Sequence, residues 1–319
     1  MILAGDVGGT STRLGLFELE GGALRERLTA RYDSRSHPGL LSIVREFRAK
    51  DPRPLERAAF GIAGPVREDR VETPNLPWVI EGAELARELT LPKVTLLNDL
   101  EANAWGVFTL ADRDVAMLAA GAPSKAGNAA IIAAGTGLGE AGYFGDGTSL
   151  RPFASEGGHA DFAARDELTV ELDRWLRLRH GHVSWERVVS GPGLVNVFAF
   201  LSEKAQRPVP PELAQPAAIS RAGLDGTNDL AVQALDLFVT LYGAEAGNLA
   251  LKMKATRGVW IGGGIAPKIL PRLTQPPFLE AFCDKGRFRP FLEAVPVRVI
   301  LNDQAALRGA AWHALSSTI

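Results

Sequence analysis

Residues 2–19 read ILAGDVGGTSTRLGLFEL, an apolar run, a Gly-Gly turn and a second apolar run. Two such runs joined by a glycine turn predict an antiparallel hairpin buried along most of its length. The turn carries an acid, Asp6, and two hydroxyls, Thr10 and Ser11, which burial alone does not call for. Successive backbone N–H groups in a glycine turn form a concavity that binds anions, and glycine lets a phosphate approach closely. The same grammar returns in NAAIIAAGTGLGEAGYFG (128–145) and, with a single strand, in GVWIGGGIAP (258–267). One Gly-Gly turn is ordinary turn chemistry, because glycine is the default turn residue. Three in the same strand context point to a shared nucleotide site.

Around these turns the chain alternates strand and helix. Residues 2–6, 13–19 and 24–32 read as three successive strands, and Leu40, Leu41, Val44 and Phe47 fall on one face of a helix opened by Pro38. RAAFGIAGP (57–65) and KVTLLND (93–99) read as strands, and residues 81–89 and 100–108 as helices. Residues 109–128 are loose and mark a domain boundary, which gives a first domain of 1–110 plus 302–319 and a second of 111–301. Helices are expected at 166–179, 184–205, 227–254 and 303–315, a Pro-rich connection at 206–216, and strands at 258–262 and 295–301. The alternation predicts an α/β fold. The echo between residues 2–19 and 128–145 is the one internal repeat.

Composition narrows the function. The formal net charge is −2, so no basic face offers itself to nucleic acid. No apolar stretch approaches the ~20 residues of a membrane span, and the N-terminus lacks the basic and cleavage-site pattern of a signal peptide. The single cysteine, Cys283, leaves no disulfide framework and no cysteine-cluster zinc site. A cytoplasmic protein with no membrane and no nucleic-acid partner is expected.

Polar residues gather at three further places. LLNDLEANAW (96–105) puts Asn98 and Asp99 at a strand end, where ligands collect in α/β proteins. SEGGHADF (155–162) puts Glu156 and His159 around a glycine pair, and HGHVSWERVVSGPGL (180–194) supplies Glu186. Each has a bland alternative: Asp99 as the N-cap of the next helix, Glu186 on a solvated helix face, His159 as a turn histidine. Together they suit a polyol, whose hydroxyls both donate and accept. Gly137, Gly139 and Gly142 match G-x-G-x-x-G, but an apolar strand follows where a dinucleotide fold needs a helix. The Gly-Lys-Ser/Thr of a Walker loop is absent.

At these residues the chain resembles the bacterial glucokinase family. The resemblance is carried by GDVGGTSTRLGLF (5–17), GIAGPV (61–66), TPNLPW (73–78), LLNDLEANAWG (96–106), AAGTGLGEA (133–141), EGGHADFA (156–163), GHVSWERVVSGPGLVN (181–196), GGGIAPK (262–268) and DKGRF (284–288), across essentially the whole chain. It implies a two-domain actin/hexokinase-type ATPase fold, closing around a cleft, and phosphorylation of glucose at the 6-hydroxyl by ATP in glycolysis. By the same resemblance, Gly5, Asp6, Val7, Gly8, Gly9 and Thr10 hold the ATP phosphates, with Asp6 holding Mg²⁺ through water. Gly135, Thr136 and Gly137 grip the phosphates from the second domain, and Gly262 and Gly263 line the adenosine pocket. Asn98, Asp99, Glu156, His159 and Glu186 bind glucose, and Asp99 is the base. The related repressor/open-reading-frame/kinase sugar kinases bind zinc through a cysteine cluster. This chain has none and begins its first strand at residue 2, so neither zinc nor a DNA-binding helix-turn-helix is expected. A kinase for another hexose or an N-acylated amino sugar, a non-catalytic sugar sensor, and a homodimer all stay open.

Overall fold

The structure is a computed structural model that describes residues 1–73, 76–122, 124 and 126–316. Pro74 and Asn75 of the TPNLPW motif, Pro123 and Lys125 in the loose stretch, and residues 317–319 lie outside the described residues. The chain forms two compact units, Met1–Asp114 with the segment from Asn302 onward, and Val115–Leu301.

The first unit is built on a five-stranded sheet. Its strands are β1 (Ile2–Val7), β2 (Ser11–Glu20), β3 (Ala23–Asp33), β4 (Arg57–Ile62) and β8 (Thr95–Asn98), in the order β3-β2-β1-β4-β8. β1 pairs antiparallel with β2 and parallel with β4. Between β4 and β8 run three short strands the sequence reading did not anticipate, β5 (Val66–Arg67), β6 (Arg70–Glu72) and β7 (Val79–Glu81). The period of two along β1 sends alternate residues to opposite faces. Leu3 and Val7 join one core with α1 (Leu40–Lys50), which buries Leu40, Ile43, Val44 and Phe47. Ile2 and Ala4 join the other core, with Ala102 of α3 (Asp99–Gly106) and Leu307, Ala310 and Ala311 of the C-terminal helix Ala305–Ser316. Asp6 has the parity of Ile2 and Ala4. It therefore faces the side where α3 and the C-terminal helix begin.

Those two helices touch backbone to backbone. A Cβ on Gly309 would run into the Ala102 carbonyl, and one on Gly106 into the Ala305 carbonyl. Rigid backbone cannot yield as a side chain does, so Gly309→Ala is expected to destabilise the protein by ~1–3 kcal/mol, the range for overpacking. Denaturant unfolding checks this, and an unchanged midpoint would show that the helices can part freely.

The second unit repeats the plan. Its six-stranded sheet runs β12-β11-β10-β13-β14-β9, with β9 (Val115–Ala119), β10 (Ala129–Ala134), β11 (Leu138–Gly145), β12 (Leu150–Ser155), β13 (Gly258–Gly262) and β14 (Val297–Ile300). β10 pairs antiparallel with β11 and parallel with β13, and β13 parallel with β14. Three antiparallel strands and then two parallel ones thus recur, and the internal repeat seen in the two hairpins is a repeat of topology.

Helix α7 (Asp229–Met253) packs on this sheet, α5 (Gly191–Lys204) and α6 (Pro216–Asp225) pack on α7, and α4 (Glu167–His180) packs on α5. α7 is apolar nearly all round and is buried from Leu230 to Ala250 on most of its surface, as such a helix must be. Its Tyr242 hydroxyl lies 3.2 Å from the Ala134 N–H, which donates to it, and 3.3 Å from the Gly262 carbonyl. The helix expected from residue 184 starts only at Gly191. Pro192 favours a first turn there, and Ser190 Oγ caps it by accepting from the Gly193 N–H at 2.9 Å. Residues 185–187 form a separate 3₁₀ turn. The edge strand β9 inside the loose stretch and helix α6 after the Pro-rich connection were missed, β9 because its half-buried residues show no alternation. Among the described residues no helix is long and apolar enough to cross a membrane.

Candidate active site

In the first unit the glycine turn between β1 and β2 is closed by the Gly8 N–H, which donates to the Ser11 carbonyl at 3.0 Å. A residue distant in sequence buttresses it. Ser34 Oγ donates to the Gly8 carbonyl at 2.8 Å and lies 3.0 Å from Thr12 Oγ, while its own N–H donates to the Thr10 carbonyl. Nothing local around Ser34 announces this role; it depends on the β2–β3 pairing.

Asp6, Arg13 and Arg31 form a row across β1, β2 and β3, each opposite the next in register. Arg13 donates from Nη2 to Asp303 Oδ2 at 2.9 Å and from Nη1 to the Asp303 carbonyl at 3.0 Å. Arg31 Nη2 donates to Ser11 Oγ at 3.1 Å. Both arginines escaped the sequence reading, although strand alternation places them beside the turn. Burial pushes the Asp6 carboxyl up to about 6, the Asp99 and Asp303 carboxylates adding to the effect and Arg13 and Arg31 opposing it.

Asp99 stands in the first turn of α3. The helix cap is its neighbour: Asn98 Oδ1 accepts from the Leu100 N–H at 2.9 Å, and Asn98 Nδ2 donates to the Gly64 carbonyl at 3.1 Å. Asp99 Oδ1 also accepts from that N–H at 2.9 Å. The cap alternative for Asp99 therefore passes to Asn98. Gly61 lets α3 start close to the sheet, since a Cβ there would come within 2.6 Å of Ala102 Cβ. Asp99 is exposed, at the positive end of its helix and close enough to Asp6 to raise that carboxyl.

The second unit holds the other expected site residues. In the turn between β10 and β11, the Gly135 N–H donates to the Gly137 carbonyl at 2.8 Å, and the Gly135 carbonyl accepts from the Gly191 N–H at 2.8 Å. Glu186 is half-buried, not on a solvated helix face. Its Oε2 accepts from the Leu138 N–H at 3.0 Å and would lie 2.5 Å from a Cβ on Gly137. The third turn leans on the second: Gly263, at φ 83°, has no room for a Cβ beside the Ala134 carbonyl, to which the Ile265 N–H donates. The loop bearing Glu156 and His159 packs there too, because Gly158 rests on the Leu138 carbonyl. Glu156 and His159 side chains are 79% and 60% exposed and 4.0 Å apart, both reachable from solvent. One unit thus gathers Glu156, His159, Glu186 and the turns at 135–137 and 262–263. The other gathers Asp6, Asn98, Asp99 and the turn at 8–9.

A sequence profile of the family described as Glucokinase matches residues 3–317. The chain belongs to the glucokinase family. A glucokinase from Nostoc sp. is 42% identical over 334 residues, covering 98% of this chain and 98% of that one. Among solved structures, a glucokinase from an Antarctic psychrotroph superposes with a TM-score of 0.89 at 29% identity, covering 99% of this chain and 98% of that one. A glucokinase of the repressor/open-reading-frame/kinase family from Streptomyces griseus, solved with glucose and AMPPNP, has a TM-score of 0.68 at 22% identity and 99% coverage of both chains. The fold of this glucokinase-family chain is the actin/hexokinase-type ATPase fold that the resemblance implied.

Among the described residues, no group of three or more His, Cys, Asp or Glu could hold a metal ion. Mg²⁺ usually keeps several waters and is bound by one or two carboxylates with substrate phosphates. Asp6 in this glucokinase-family site suits that mode, because its crowded carboxyl would be stabilised in its charged form by a nearby cation.

Proposed function

We propose that the protein phosphorylates glucose at the 6-hydroxyl with ATP, Asp99 serving as general base. The observation that carries the reading is the proximity of Asp6 and Asp99 at the carboxyl ends of the parallel strands of the first sheet, in a chain of the glucokinase family. Phosphoryl transfer leaves a protein chiefly positioning and charge stabilisation to supply. Gly8, Gly9 and Thr10 of the first turn receive phosphate oxygens, and Gly135, Thr136 and Gly137 receive them from the second unit. Gly262 and Gly263 border the adenosine.

Asn98, Glu156, His159 and Glu186 hold the sugar hydroxyls. The Asp99 carboxylate accepts the proton of the 6-hydroxyl as that oxygen attacks the γ-phosphorus and the β–γ bridge oxygen leaves with ADP. Asp6 would hold Mg²⁺ through water, and the ion supplies neutralisation of phosphate charge when bound. Arg13 keeps its guanidinium beside Asp6 through Asp303. The reaction belongs in the cytoplasm, in a chain that works as a monomer or a homodimer and needs no zinc.

A coupled assay over a panel of hexoses and N-acylated amino sugars, with ATP, ADP and polyphosphate as donors, tests the reading. Glucose with ATP is expected to give the highest kcat/KM. A preference for another sugar or donor would revise the substrate, and binding of glucose without turnover would make the protein a sensor.

A further inference from the structure

Beneath the loop that carries Glu156 and His159 lies an acid the proposed mechanism does not use. Glu140 is 1% exposed and belongs to β11, where it pairs in register with Ser155 of β12. Its carboxyl group fills the space a side chain on Gly157 would need, so that glycine is the residue that lets the loop settle on it. The Ser155 hydroxyl accepts from the Gly157 N–H at 2.9 Å, and Gly158 rests on the Leu138 carbonyl two residues before Glu140. The glycine pair between the two sugar-facing residues is thus seated on one short run of β11. Among the described residues Glu140 Oε1 is buried with no hydrogen-bond partner, and the group lies near enough to the fully buried Glu245 of α7 for that carboxylate to raise it.

We propose that Glu140 is a positioning residue for the sugar: buried under Gly157 and beside Glu245, it holds the loop that presents Glu156 and His159. The proposal rests on the reading of that loop as part of the glucose site.

Two carboxyl groups can share a hydrogen bond only if one keeps a proton. Glu245 is the better candidate for the charge. Its Oε1 accepts from Lys252 Nζ at 3.0 Å and its Oε2 from Asn248 Nδ2 at 2.7 Å. Among the described residues no ion pair joins Glu140 to a cation, and burial and the Glu245 carboxylate push it up to about 8, Lys252 opposing them. The surrounding ionisable groups are Glu245, Lys252 and Tyr242 on α7, Lys285 beyond it, and Glu156 and His159 on the loop. Lys285 Nζ donates to Asn248 Oδ1 at 2.6 Å and to the Ala244 carbonyl at 3.0 Å, and burial lowers its own value to about 8. The adjacent Asp284 pairs with Arg165, just past the loop. Asp284 and Lys285 of the DKGRF motif thereby belong to the same support.

A folded-state value raised above the ordinary carboxylate range means that the native state binds the extra proton. Stability, and with it the loop's seat, is fullest below the unfolded value and declines as pH rises toward about 8. Ionised Glu140 would face Glu245 and Gly157 as a second buried charge.

The test measures KM for glucose and for ATP at about pH 7 to about pH 9 in wild type, E140Q and E140A. In wild type, glucose KM is expected to rise severalfold across this range while ATP KM stays level. Glutamine can donate to Glu245 as the protonated acid can, so E140Q should keep the wild-type glucose KM at pH 7 to within about twofold and lose the rise. Alanine removes the seat, so E140A should raise glucose KM about tenfold with ATP KM nearly unchanged. Lys285 is present in all three proteins, so a rise due to it would persist in E140Q and would overturn the proposal. Equal changes in both KM values for E140A would overturn it as well. If E140A does not fold, the wild-type and E140Q pH profiles decide alone. Glu156→Gln serves as the control for the underlying reading. If that variant loses glucose affinity while E140Q and E140A follow neither expectation, only the role of Glu140 falls; if it binds glucose as wild type does, the loop is not the sugar site and both fall.

Discussion

Asp99→Asn should lower turnover by ~10²–10⁴-fold, the loss of a positioned general base, equivalent to roughly 3–5 kcal/mol of transition-state stabilisation. The substitution is nearly isosteric, and the cap of α3 is Asn98, not Asp99, so the helix keeps its N-terminal hydrogen bond. The fold and much of the glucose binding should survive. An amide cannot take the proton of the 6-hydroxyl, and that loss is what the rate reads. The variant also removes the carboxylate that helps to push Asp6 up, so Asp6 should ionise at lower pH than in wild type. Thermal unfolding, glucose titration and single-turnover rates on one preparation separate these effects. A variant with a native melting curve and a near wild-type rate would leave Asp99 as a helix-start residue and move the base elsewhere.

Glu156→Gln should weaken glucose binding roughly ten- to a hundredfold, the effect of exchanging a charge-assisted acceptor for a neutral amide. The side chain is exposed and lies 4.0 Å from the His159 ring, so little in the free protein depends on it. A carboxylate accepts from two hydroxyls, whereas an amide has one acceptor oxygen. ATP affinity should hold, because the glycine turn at 135–137 is held by Glu186 and Gly191, not by Glu156. Calorimetric titration with each ligand gives the answer. Equal glucose affinity in variant and wild type would remove Glu156 from the sugar site.

The two hairpins, the helices α1, α4 and α7 and the closing helix were legible because each rests on a local period: two along β1, β2 and β10, and about 3.6 along the helices. The start of α5 was read seven residues early because Trp185 and Val188 continue the apolar pattern, while the Ser190–Pro192 cap that starts the helix is a stronger local signal than periodicity. Strand β9 was not legible at all, since an edge strand without alternation looks like loop until β14 is there to pair with it.

The candidate site divides along the same line. By itself the sequence determined that three glycine turns follow three buried strands, that Asp6 sits at the first of them, that Asn98 and Asp99 stand at a strand end and that Glu156 and His159 flank a glycine pair, because turn chemistry and strand ends are properties of a few neighbouring residues. Only the tertiary structure decided the environment of each. Strand register set Arg13 and Arg31 in a row with Asp6, and the β2–β3 pairing brought Ser34 under the first turn. The approach of α3 to the sheet over Gly61 placed Asp99 near enough to raise Asp6. The burial of α7 put Glu245 against Glu140, more than a hundred residues away in the chain. Electrostatic shifts and buried hydrogen bonds depend on distance and on exclusion of water, and neither is set until the sheets and helices have packed.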